Sequence, residues 1–491
     1  MICVTIARTR HKMVIAEHQT LAQRGAKLIE LRLDWLARSP DVPRLLKDRP
    51  TPVIVTCRRK ADGGRWVGAE DERRMLLRTA IISGADYIDL EDDIARSIPR
   101  YGKTKRLISH HDFHTTPDNL EEIWAEMAEM NPDIIKLVTT AHSPSDCVRL
   151  LKLVSESKIP TVGFCMGEFG VPSRILCGKY GSPFSYAAFS AERAIAPGQQ
   201  TYQQMQDIYH YDDINQETKV FGVLGDPIGH SLSPLLHNAA MRQIGFNGVY
   251  IPIRVTKGQL PKMLDDFQWL DVRGYSVTIP HKEAVLAKYP KCEEIVRQIG
   301  AANTLSRGAN GGWESENTDF KAALDSLQLA LQPGESLEGK RVLMLGAGGV
   351  ARAIGLGVTR RGAALTIASR TVDRTKALAE SLGCRHVTWE NRGSEFADIL
   401  INCTPVGMHP EVNETPFKSH WMRDDMIVFD TIYNPEQTLL LKEARDHRCR
   451  TVSGVEMFVR QAAAQFERFT GKSAPLELLA ETLRTGISAA K

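Results

Sequence analysis

Short runs rich in β-branched and apolar residues alternate with helical stretches throughout residues 1 to 212. Eight runs are predicted as strands: Ile2 to Ile6, Leu28 to Leu33, Val53 to Cys57, Tyr87 to Leu90, Arg106 to Ser109, Ile134 to Val138, Thr161 to Cys165 and Phe184 to Phe189. Amphipathic helices are predicted between them, as at Glu70 to Ser83, Asn119 to Met130 and Ser145 to Ser157. Eight such units predict a (β/α)8 barrel, with its active site at the carboxyl ends of the strands. An open doubly wound sheet is the alternative fold.

The length and charge of the chain limit what it can be. Its 491 residues exceed the roughly 250 to 300 at which one core stops growing, so we expect at least two domains. A net charge of +3 indicates neither a nucleic-acid nor a membrane partner and favours small molecules. Nine cysteines without a C-x-x-C pair argue against a disulfide framework or a zinc site. The first residues show no export signal, so we predict a cytoplasmic protein.

Ionisable residues gather at the predicted strand ends of the barrel, and Lys136 is the unusual one among them. It interrupts the apolar run from Ile134 to Val138, so a barrel strand would hold its amine indoors. We expect desolvation and cationic neighbours to favour the uncharged amine, which attacks carbonyls to form Schiff bases. The alternative is a buried structural lysine paired with Glu91.

His111 favours the chemical interpretation of Lys136. A Schiff base draws electrons from a neighbouring carbon, and a base must then take the proton, a task that suits histidine. The run Ser109 to His114 also invites a metal site. Strand alternation sends His110 and His111 to opposite faces, however, and no second ligand cluster is evident, so no metal is predicted.

A glycine turn dominates the second half of the chain. The predicted strand Val342 to Leu345 is followed by Gly346, Gly348 and Gly349, and Ala351 completes a G-x-G-G-x-A variant of the dinucleotide fingerprint. The helix that follows would bind a pyrophosphate at its amino end. The alternative is an ordinary glycine turn.

The residues after the next predicted strand, Ala364 to Ala368, indicate which dinucleotide binds. Ser369, Arg370 and Thr371 stand where an acidic residue would hold the ribose hydroxyl of NAD. Arg370, with Arg374 one helical turn on, supplies charge suited to the 2′-phosphate of NADP. Two solvated arginines are the alternative. We predict NADP.

Residues 207 to 218 are polar and acidic and are predicted as a helix end and short linker. Beyond them, Ser231 and Ser233 precede a predicted helix. Ser233 before Pro234 is a good helix N-cap, but two hydroxyls at a helix start also suit a carboxylate. Further on, Lys282 and Asp319 could act together, because an ammonium near a carboxylate can protonate the alkoxide that forms when a carbonyl accepts hydride. Separately, each could be a simple helix-start charge.

The motifs of residues 1 to 205 are E-L-R-L-D, I-D-L-E, S-x-H-D-F-H-x-T-P, I-x-K, G-V-x-S-R and A-P-G-Q, and they resemble those of type I 3-dehydroquinate dehydratases. The resemblance implies that Lys136 is the Schiff-base lysine, His111 the general acid/base and Glu91 its orienting partner. It also implies substrate-binding positions at Arg174, for the carboxylate, and at Glu30, Arg32, Arg58 and Gln199. Ile195 departs from the family, which often has serine there.

The motifs of residues 219 to 475 are G-x-P-I-x-H-S-x-S-P-x-x-H-N, V-T-I-P-H-K, G-A-x-N-T, N-T-D, G-A-G-G-x-A-x-A, N-x-T-P-x-G-M and G-x-x-M-x-x-x-Q-A, and they resemble those of shikimate dehydrogenases. The resemblance implies Lys282 and Asp319 as the catalytic pair. It implies a substrate site of Ser231, Ser233, Thr278, Asn303 and Gln461, and an NADP site of Gly346, Gly348, Gly349, Ser369, Arg370, Thr371 and Arg374. Ser276 and Ser369 replace asparagines that are usual in the monofunctional bacterial enzymes.

The whole chain is similar to fused enzymes of these two families. We therefore expect 3-dehydroquinate to give 3-dehydroshikimate, which NADPH would reduce to shikimate, in a monomer or homodimer. The predicted domains are a barrel at 1–212, a substrate domain at 219–322 completed by helices at 454–491, and a Rossmann-type NADP domain at 323–453. The alternative is a non-catalytic barrel fused to a shikimate or quinate dehydrogenase.

Overall fold

Eight parallel strands form one curved sheet in the first part of the chain. The computed structural model describes residues 1 to 489. The strands are β1 Ile2–Ile6, β2 Leu28–Arg32, β3 Val53–Thr56, β4 Tyr87–Glu91, β5 Lys105–His111, β6 Ile134–Thr140, β7 Thr161–Met166 and β8 Ser185–Ala188. They pair in the order β7-β6-β5-β4-β3-β2-β1-β8. The predicted barrel-type fold is confirmed, and its strands lie where the alternating pattern indicated.

The barrel has one seam. No backbone ladder joins β7 to β8 within residues 1–489, although every other neighbouring pair is hydrogen-bonded. The Ser182 hydroxyl bridges this gap, because it donates to the Thr161 carbonyl at 3.0 Å and accepts from the Gly163 amide at 3.3 Å. The strands themselves are buried on both faces, as expected of parallel strands that helices cover from outside.

Helices connect the barrel strands. They are α1 His11–Gln23, α2 Val42–Leu46, α3 Glu70–Ile82, α4 Asp92–Ala95, α5 Leu120–Ala128, α6 Pro144–Glu156 and α7 Val171–Leu176. Helix α6 shows why they form: Cys147, Leu150, Leu151 and Val154 recur at helical spacing and are buried against the sheet. At its start, the Ser143 amide donates to the Asp146 carboxylate at 3.0 Å, which satisfies a free N–H.

The segment predicted as a polar linker is partly packed into the fold. Residues Gln204–Ile208 form a π-helical turn and Tyr211–Asp213 a 3-10 turn. Tyr209 and Tyr211 are buried, and the Tyr211 hydroxyl lies 3.3 Å from Cys177 Sγ. The linker prediction is therefore wrong for this stretch. Acidic residues surround the two tyrosines, so the sequence shows no apolar pattern that would indicate their burial.

A five-stranded sheet follows in the chain. Its strands are β9 Lys219–Gly225, β10 Gly248–Arg254, β11 Val272–Val277, β12 Thr304–Arg307 and β13 Trp313–Glu316, in the order β10-β9-β11-β12-β13. The helices of this region are α8 Ser233–Gln243, α9 Leu260–Asp266, α10 Lys282–Lys288, α11 Glu294–Ile299 and α12 Thr318–Ala330. The last two strands are antiparallel to their neighbours.

The third sheet is a doubly wound parallel sheet. Its strands are β14 Arg341–Leu345, β15 Ala364–Ala368, β16 Arg385–Val387, β17 Ile399–Asn402, β18 Ile427–Asp430 and β19 Arg450–Val452. Their order is β16-β15-β14-β17-β18-β19, so the direction of winding reverses between β14 and β17, where such sheets bind dinucleotides. The helices are α13 Gly349–Arg360, α14 Val372–Leu382, α15 Leu439–Asp446, α16 Gly454–Thr470 and α17 Leu476–Ala489.

The described residues form two compact units. One consists of Met1–Gly222, Asp226–His230 and Asn247–Val272, and the other contains the remaining described residues. The three-domain division predicted above stays a prediction, and its residues 490 and 491 lie outside the described part. None of the helices in residues 1–489 combines the length and the apolar character needed to cross a bilayer.

Candidate active sites

One cavity at the carboxyl ends of the barrel strands gathers most of the residues predicted for the first site. Its lining includes Glu30, Arg32, Arg58, His111, Lys136, Arg174 and Gln199. They come from strands and loops far apart in sequence, and the barrel topology brings them to one end. The strand-end pattern predicted that Glu30, Arg32, Arg58, His111 and Lys136 lie together, and the family resemblance implied Arg174 and Gln199.

Lys136 is held by carboxylates inside this cavity. It is 5% exposed, and its Nζ lies 3.1 Å from Asp89 Oδ2 and 3.6 Å from Glu30 Oε1. The alternative of a pair with Glu91 is therefore wrong, and the cationic neighbour that was expected is Arg58, which binds the same Asp89 carboxylate. A buried ion pair of this kind fixes the position of the nitrogen, since removing either partner leaves a buried charge.

Asp89 was missed by the sequence analysis. Burial opposes its ionisation, but the charges of Arg58 and Lys136 and the Ser109 hydroxyl outweigh burial and hold the pKa of Asp89 at about 2. Its Oδ1 accepts from Arg58 at 2.9 Å and from Ser109 at 2.6 Å. The signal was present, because Asp89 lies two residues before Glu91 and strand alternation puts both on one face.

His111 is oriented by Arg58. Its Nδ1 lies 3.0 Å from Arg58 Nη1. A guanidinium only donates, so Nδ1 accepts and the neutral ring carries its proton on Nε2. Burial, followed by the charges of Arg58 and Lys136, keeps the pKa of His111 well below its usual value.

Glu91 lies behind Arg58. Its Oε2 accepts from Arg73 Nη1 at 2.7 Å, and its Oε1 is 3.7 Å from Arg58 Nη1. Burial chiefly raises the pKa of Glu91. The structure therefore gives the predicted orienting role of Glu91 an indirect form in residues 1–489, since the carboxylate approaches the histidine through Arg58 and is also bound by Arg73 from α3.

Arg174 is a buried cation without an ionic partner. It is 1% exposed, and its Nε and Nη2 atoms have no hydrogen-bond partner in residues 1–489. Burial lowers the pKa of Arg174 to about 10. A desolvated guanidinium with free donors suits an anion of the carboxylate type.

Ile195 stands where the related enzymes often have serine, and it contributes its backbone to the site. Its amide donates to Gln199 Oε1 at 3.0 Å.

Asp62, Phe113 and Tyr186 are among the residues that line the cavity without having been predicted. Phe113 stacks over His111 with ring centroids 6.0 Å apart. Gly63, at φ +72°, approaches Phe113 so closely that an added Cβ would lie 2.7 Å from Phe113 Cζ. The left-handed backbone conformation favours glycine at this position, and a larger residue would also displace the end of the Phe113 ring.

Lys282 and Asp319 meet in the second compact unit, as the resemblance to shikimate dehydrogenases implied. Lys282 Nζ lies 2.6 Å from Asp319 Oδ2. Lys282 begins α10, and Asp319 lies in the first turn of α12, where the Asn317 side chain caps the helix by accepting from the Phe320 amide at 3.2 Å. The short distance indicates a charge-assisted hydrogen bond.

Asn303 is fixed beside this pair. Its Oδ1 accepts from the Thr318 amide at 2.8 Å, and its carbonyl accepts from Gln465 Nε2 at 3.0 Å. Ser276, the departure from asparagine, donates to Gln465 Oε1 at 2.7 Å. Gln465 was missed because its partners are distant in sequence. The predicted Gln461 instead donates to the Phe458 carbonyl of its own helix at 3.1 Å.

The positions of Ser231 and Ser233 at the start of α8 differ from the expected helix capping. Leu232 is the N-cap residue and Ser233 is already helical, so the capping explanation for Ser233 is wrong. The hydroxyl that accepts the Ser233 amide, at 3.3 Å, belongs to Ser231. In the neighbouring loop, the Thr278 amide donates to the Leu224 carbonyl at 2.9 Å. This bond fixes the backbone of Thr278 and does not involve its hydroxyl.

The glycine turn after β14 has the geometry that a dinucleotide requires. Gly346 has φ +112°, and an added Cβ would lie 2.8 Å from the Cys403 carbonyl oxygen. Gly348 is the N-cap of α13, which begins at Gly349, so free amides face the end of the sheet. A Cβ at Gly349 would be 3.6 Å from Lys282 Cδ, so the turn and the lysine are neighbours.

Arg370 and Arg374 flank the start of α14. Both are exposed, and in residues 1–489 neither forms an ion pair or a side-chain hydrogen bond. The Thr371 amide donates to Ser369 Oγ at 3.3 Å, which shapes the loop between them. The described residues contain no group of three histidine, cysteine or acidic side chains placed to hold a metal ion.

The barrel with its lysine-containing cavity, and the doubly wound sheet with its glycine turn, define a lyase joined to a dinucleotide-dependent dehydrogenase. Family models match as type I 3-dehydroquinase over residues 2–216, shikimate dehydrogenase substrate-binding domain over 223–305, and shikimate 5′-dehydrogenase C-terminal domain over 454–484. A further model, of coenzyme F420-dependent NADP oxidoreductases, matches residues 341–428.

Similar proteins match nearly the whole chain or only its second half. A bifunctional 3-dehydroquinate dehydratase/shikimate dehydrogenase of Arabidopsis thaliana, described as chloroplastic, is 38% identical over 97% of this chain and 83% of its own. A shikimate dehydrogenase (NADP(+)) of Methanosarcina mazei is 37% identical over 55% of this chain and 99% of its own. The chain therefore belongs to the family of bifunctional 3-dehydroquinate dehydratase/shikimate dehydrogenases.

Solved structures match the second half. A shikimate dehydrogenase in complex with NADP+ aligns with TM-score 0.53 and 33% identity, over 56% of this chain and 97% of its own. A quinate dehydrogenase of Corynebacterium glutamicum in complex with NAD aligns with TM-score 0.51 and 30% identity, over 55% of this chain and 99% of its own. The reductase fold is thus shared by enzymes that differ in substrate and cofactor.

Proposed function

We propose that the chain dehydrates 3-dehydroquinate to 3-dehydroshikimate in the barrel cavity, and that it reduces 3-dehydroshikimate to shikimate with NADPH at the Lys282–Asp319 pair. The observation that carries the first activity is the buried lysine that shares one cavity with an unpaired arginine and a histidine. The non-catalytic barrel is disfavoured, because a binding module has no need of a buried amine held by two carboxylates.

The dehydration follows from the cavity. The Lys136 amine attacks the ketone and water leaves, which forms an iminium ion. His111 takes the proton from the adjacent carbon on Nδ1, which gives up its bond from Arg58 Nη1 in this step, and the electron pair moves into an enamine. The hydroxyl on the next carbon then leaves with a proton from His111 as water, and hydrolysis frees the product and the amine. Arg174 would bind the substrate carboxylate, while Glu30, Arg32, Arg58 and Gln199 would bind its hydroxyls or carbonyl.

The residues of the second site fit a reductase. NADPH, when bound, supplies the hydride. Lys282 would give a proton to the forming alkoxide, and Asp319 would hold the ammonium in place. Ser231, Ser233, Thr278, Asn303 and Gln461 would bind the substrate. The tight Gly346 turn and the exposed Arg370 and Arg374 fit a phosphorylated dinucleotide, with Gly348, Gly349, Ser369 and Thr371 completing the site.

Arg370→Ala is expected to weaken NADP binding by about ten- to one hundred-fold, because a charged hydrogen bond to the 2′-phosphate is lost. NAD lacks that phosphate, so its dissociation constant should hardly change. Titration of cofactor fluorescence measures both constants. Arg361→Ala, at an exposed position at the end of α13, is the matched control. Equal losses for both cofactors would contradict the assignment.

Three broader proposals accompany the activities. The division into 1–212, 219–322 with 454–491, and 323–453 is supported by the three separate sheets. The cytoplasmic location is supported by nine cysteines that are all free thiols. The partners are small molecules, and the chain acts as a monomer or homodimer without nucleic acid or membrane.

Conversion of 3-dehydroquinate by the purified chain tests the proposed function. Without NADPH, proton NMR should show 3-dehydroshikimate only, and with NADPH the product should be shikimate. Quinate offered with NADP in the reverse direction would reveal a quinate preference. Reduction of added 3-dehydroshikimate without any dehydration would instead support the non-catalytic barrel.

A further inference from the structure

Two cations of the barrel cavity each lie over the face of an aromatic ring. Lys136 Nζ is 4.2 Å from the ring centroid of Tyr186, and Arg174 Cζ is 4.4 Å from that of Phe164. The two rings pack against each other at 5.9 Å. Phe184 also contacts Tyr186, in an edge-to-face arrangement with ring centroids 5.7 Å apart. The ring under Lys136 is therefore held in place by its neighbours.

The setting strengthens the contact between Lys136 and Tyr186. Tyr186 is 4% exposed, and attraction between a cation and a ring face grows when water is excluded. The Tyr186 Oη has no hydrogen-bond partner in residues 1–489. Burial, followed by the charge of Glu30, raises the pKa of Tyr186 well above its usual value, so the phenol stays neutral and Lys136 faces an uncharged ring.

We propose that the ring of Tyr186 is a catalytic group that stabilises the cationic nitrogen of the imine formed on Lys136. The inference rests on the proposed Schiff-base dehydration. The nitrogen is cationic in the resting ammonium and in the iminium ions before and after elimination, and it is neutral in the free amine and in the enamine. A ring that stabilises the cation therefore favours the states that draw electrons from the neighbouring carbon.

The ring and the carboxylates act on the same nitrogen in different ways. Asp89 accepts a hydrogen bond from the nitrogen and Glu30 lies 3.6 Å from it as an ion-pair partner, and an imine nitrogen has fewer protons to offer than an ammonium. The attraction of the ring depends on charge and not on the number of N–H groups. Its contribution is thus kept when the ammonium becomes an iminium ion.

Phenylalanine analogues with increasing numbers of fluorine atoms at position 186 test the proposal. Fluorine withdraws charge from the ring face at nearly constant size. Tyr186→Phe should dehydrate within about two-fold of the native rate, and each added fluorine should lower the rate stepwise, to about ten-fold overall. Tyr186→Leu should show a similar loss. A rate that is independent of fluorination, or a full loss in Tyr186→Phe, would overturn the proposal.

Two further measurements separate this inference from the proposed function. Borohydride added with 3-dehydroquinate should trap an adduct on Lys136 in the native chain; its absence would defeat the Schiff-base function itself. If the adduct forms but its rate of formation does not follow fluorination, the function stands and the inference about Tyr186 fails. NADP-dependent oxidation of shikimate should be equal in all variants and serves as the control for folding of the second unit.

Discussion

Lys136→Ala is expected to abolish dehydration, with a loss of about four orders of magnitude or more, since removal of a covalent nucleophile has effects of this size. NADP-dependent oxidation of shikimate should be unchanged, because Lys282 and Asp319 lie in the other compact unit. The measurement is the rate of 3-dehydroshikimate formation by its ultraviolet absorbance.

The variant leaves Asp89 and Glu30 without their ammonium partner, which destabilises a buried site by about 3 to 5 kcal/mol. Lys136→Arg therefore accompanies it, because it restores the charge but not the nucleophilic amine. Lys158→Ala, at an exposed lysine beyond α6, is the matched control. Substantial dehydration by Lys136→Arg, or a borohydride adduct on another lysine, would contradict the mechanism.

Lys282→Ala is expected to lower 3-dehydroshikimate reduction by about a hundred- to ten thousand-fold, the range lost with a general acid. The affinity for NADPH should be retained, because the phosphate-binding turn is on β14 and α13. The variant should still dehydrate 3-dehydroquinate, so 3-dehydroshikimate should accumulate in the presence of NADPH. Chromatography of the products and cofactor titration together measure these effects.

Asp319→Asn is the complementary change, since it keeps the shape of the carboxylate while removing its charge beside Lys282. We expect a smaller loss of the reduction rate than in Lys282→Ala. Lys321→Ala, at an exposed lysine one residue beyond Phe320 on α12, is the control and should be active. A parallel loss of NADPH affinity and rate in Lys282→Ala would indicate a disturbed site rather than a missing proton donor.

The barrel strands could be predicted because parallel strands buried on both faces give apolar runs in the sequence. Lys136 was conspicuous for the same reason, as a charge inside such a run. The contacts that Lys136 makes were harder to predict from the sequence. Asp89 follows from alternation along β4, but Arg73 reaches Glu91 from α3, and no periodicity predicts which arginine meets which carboxylate.

The second half shows the same contrast. The Gly346 turn was predicted from its local glycine spacing, whereas the pairing of Lys282 with Asp319 was implied by the resemblance to shikimate dehydrogenases. The bond between Ser276 and Gln465 joins residues 189 positions apart, and only the packing of α16 brings them together. The start of α8 was also hard to predict, since Ser233 before Pro234 has the composition of a helix N-cap and an offset of one residue puts Leu232 in that place instead.

The arginine at position 174 makes the barrel less stable than its architecture permits. A guanidinium that is 1% exposed and leaves two nitrogens unpartnered raises the free energy of the empty folded chain, because water once solvated those groups in the unfolded chain. A methionine there would fill the space without that penalty and would raise the free energy of unfolding. It would also leave nothing to meet an anion. Under the proposed role of Arg174 in binding the substrate carboxylate, stability and activity are therefore opposed at this one side chain.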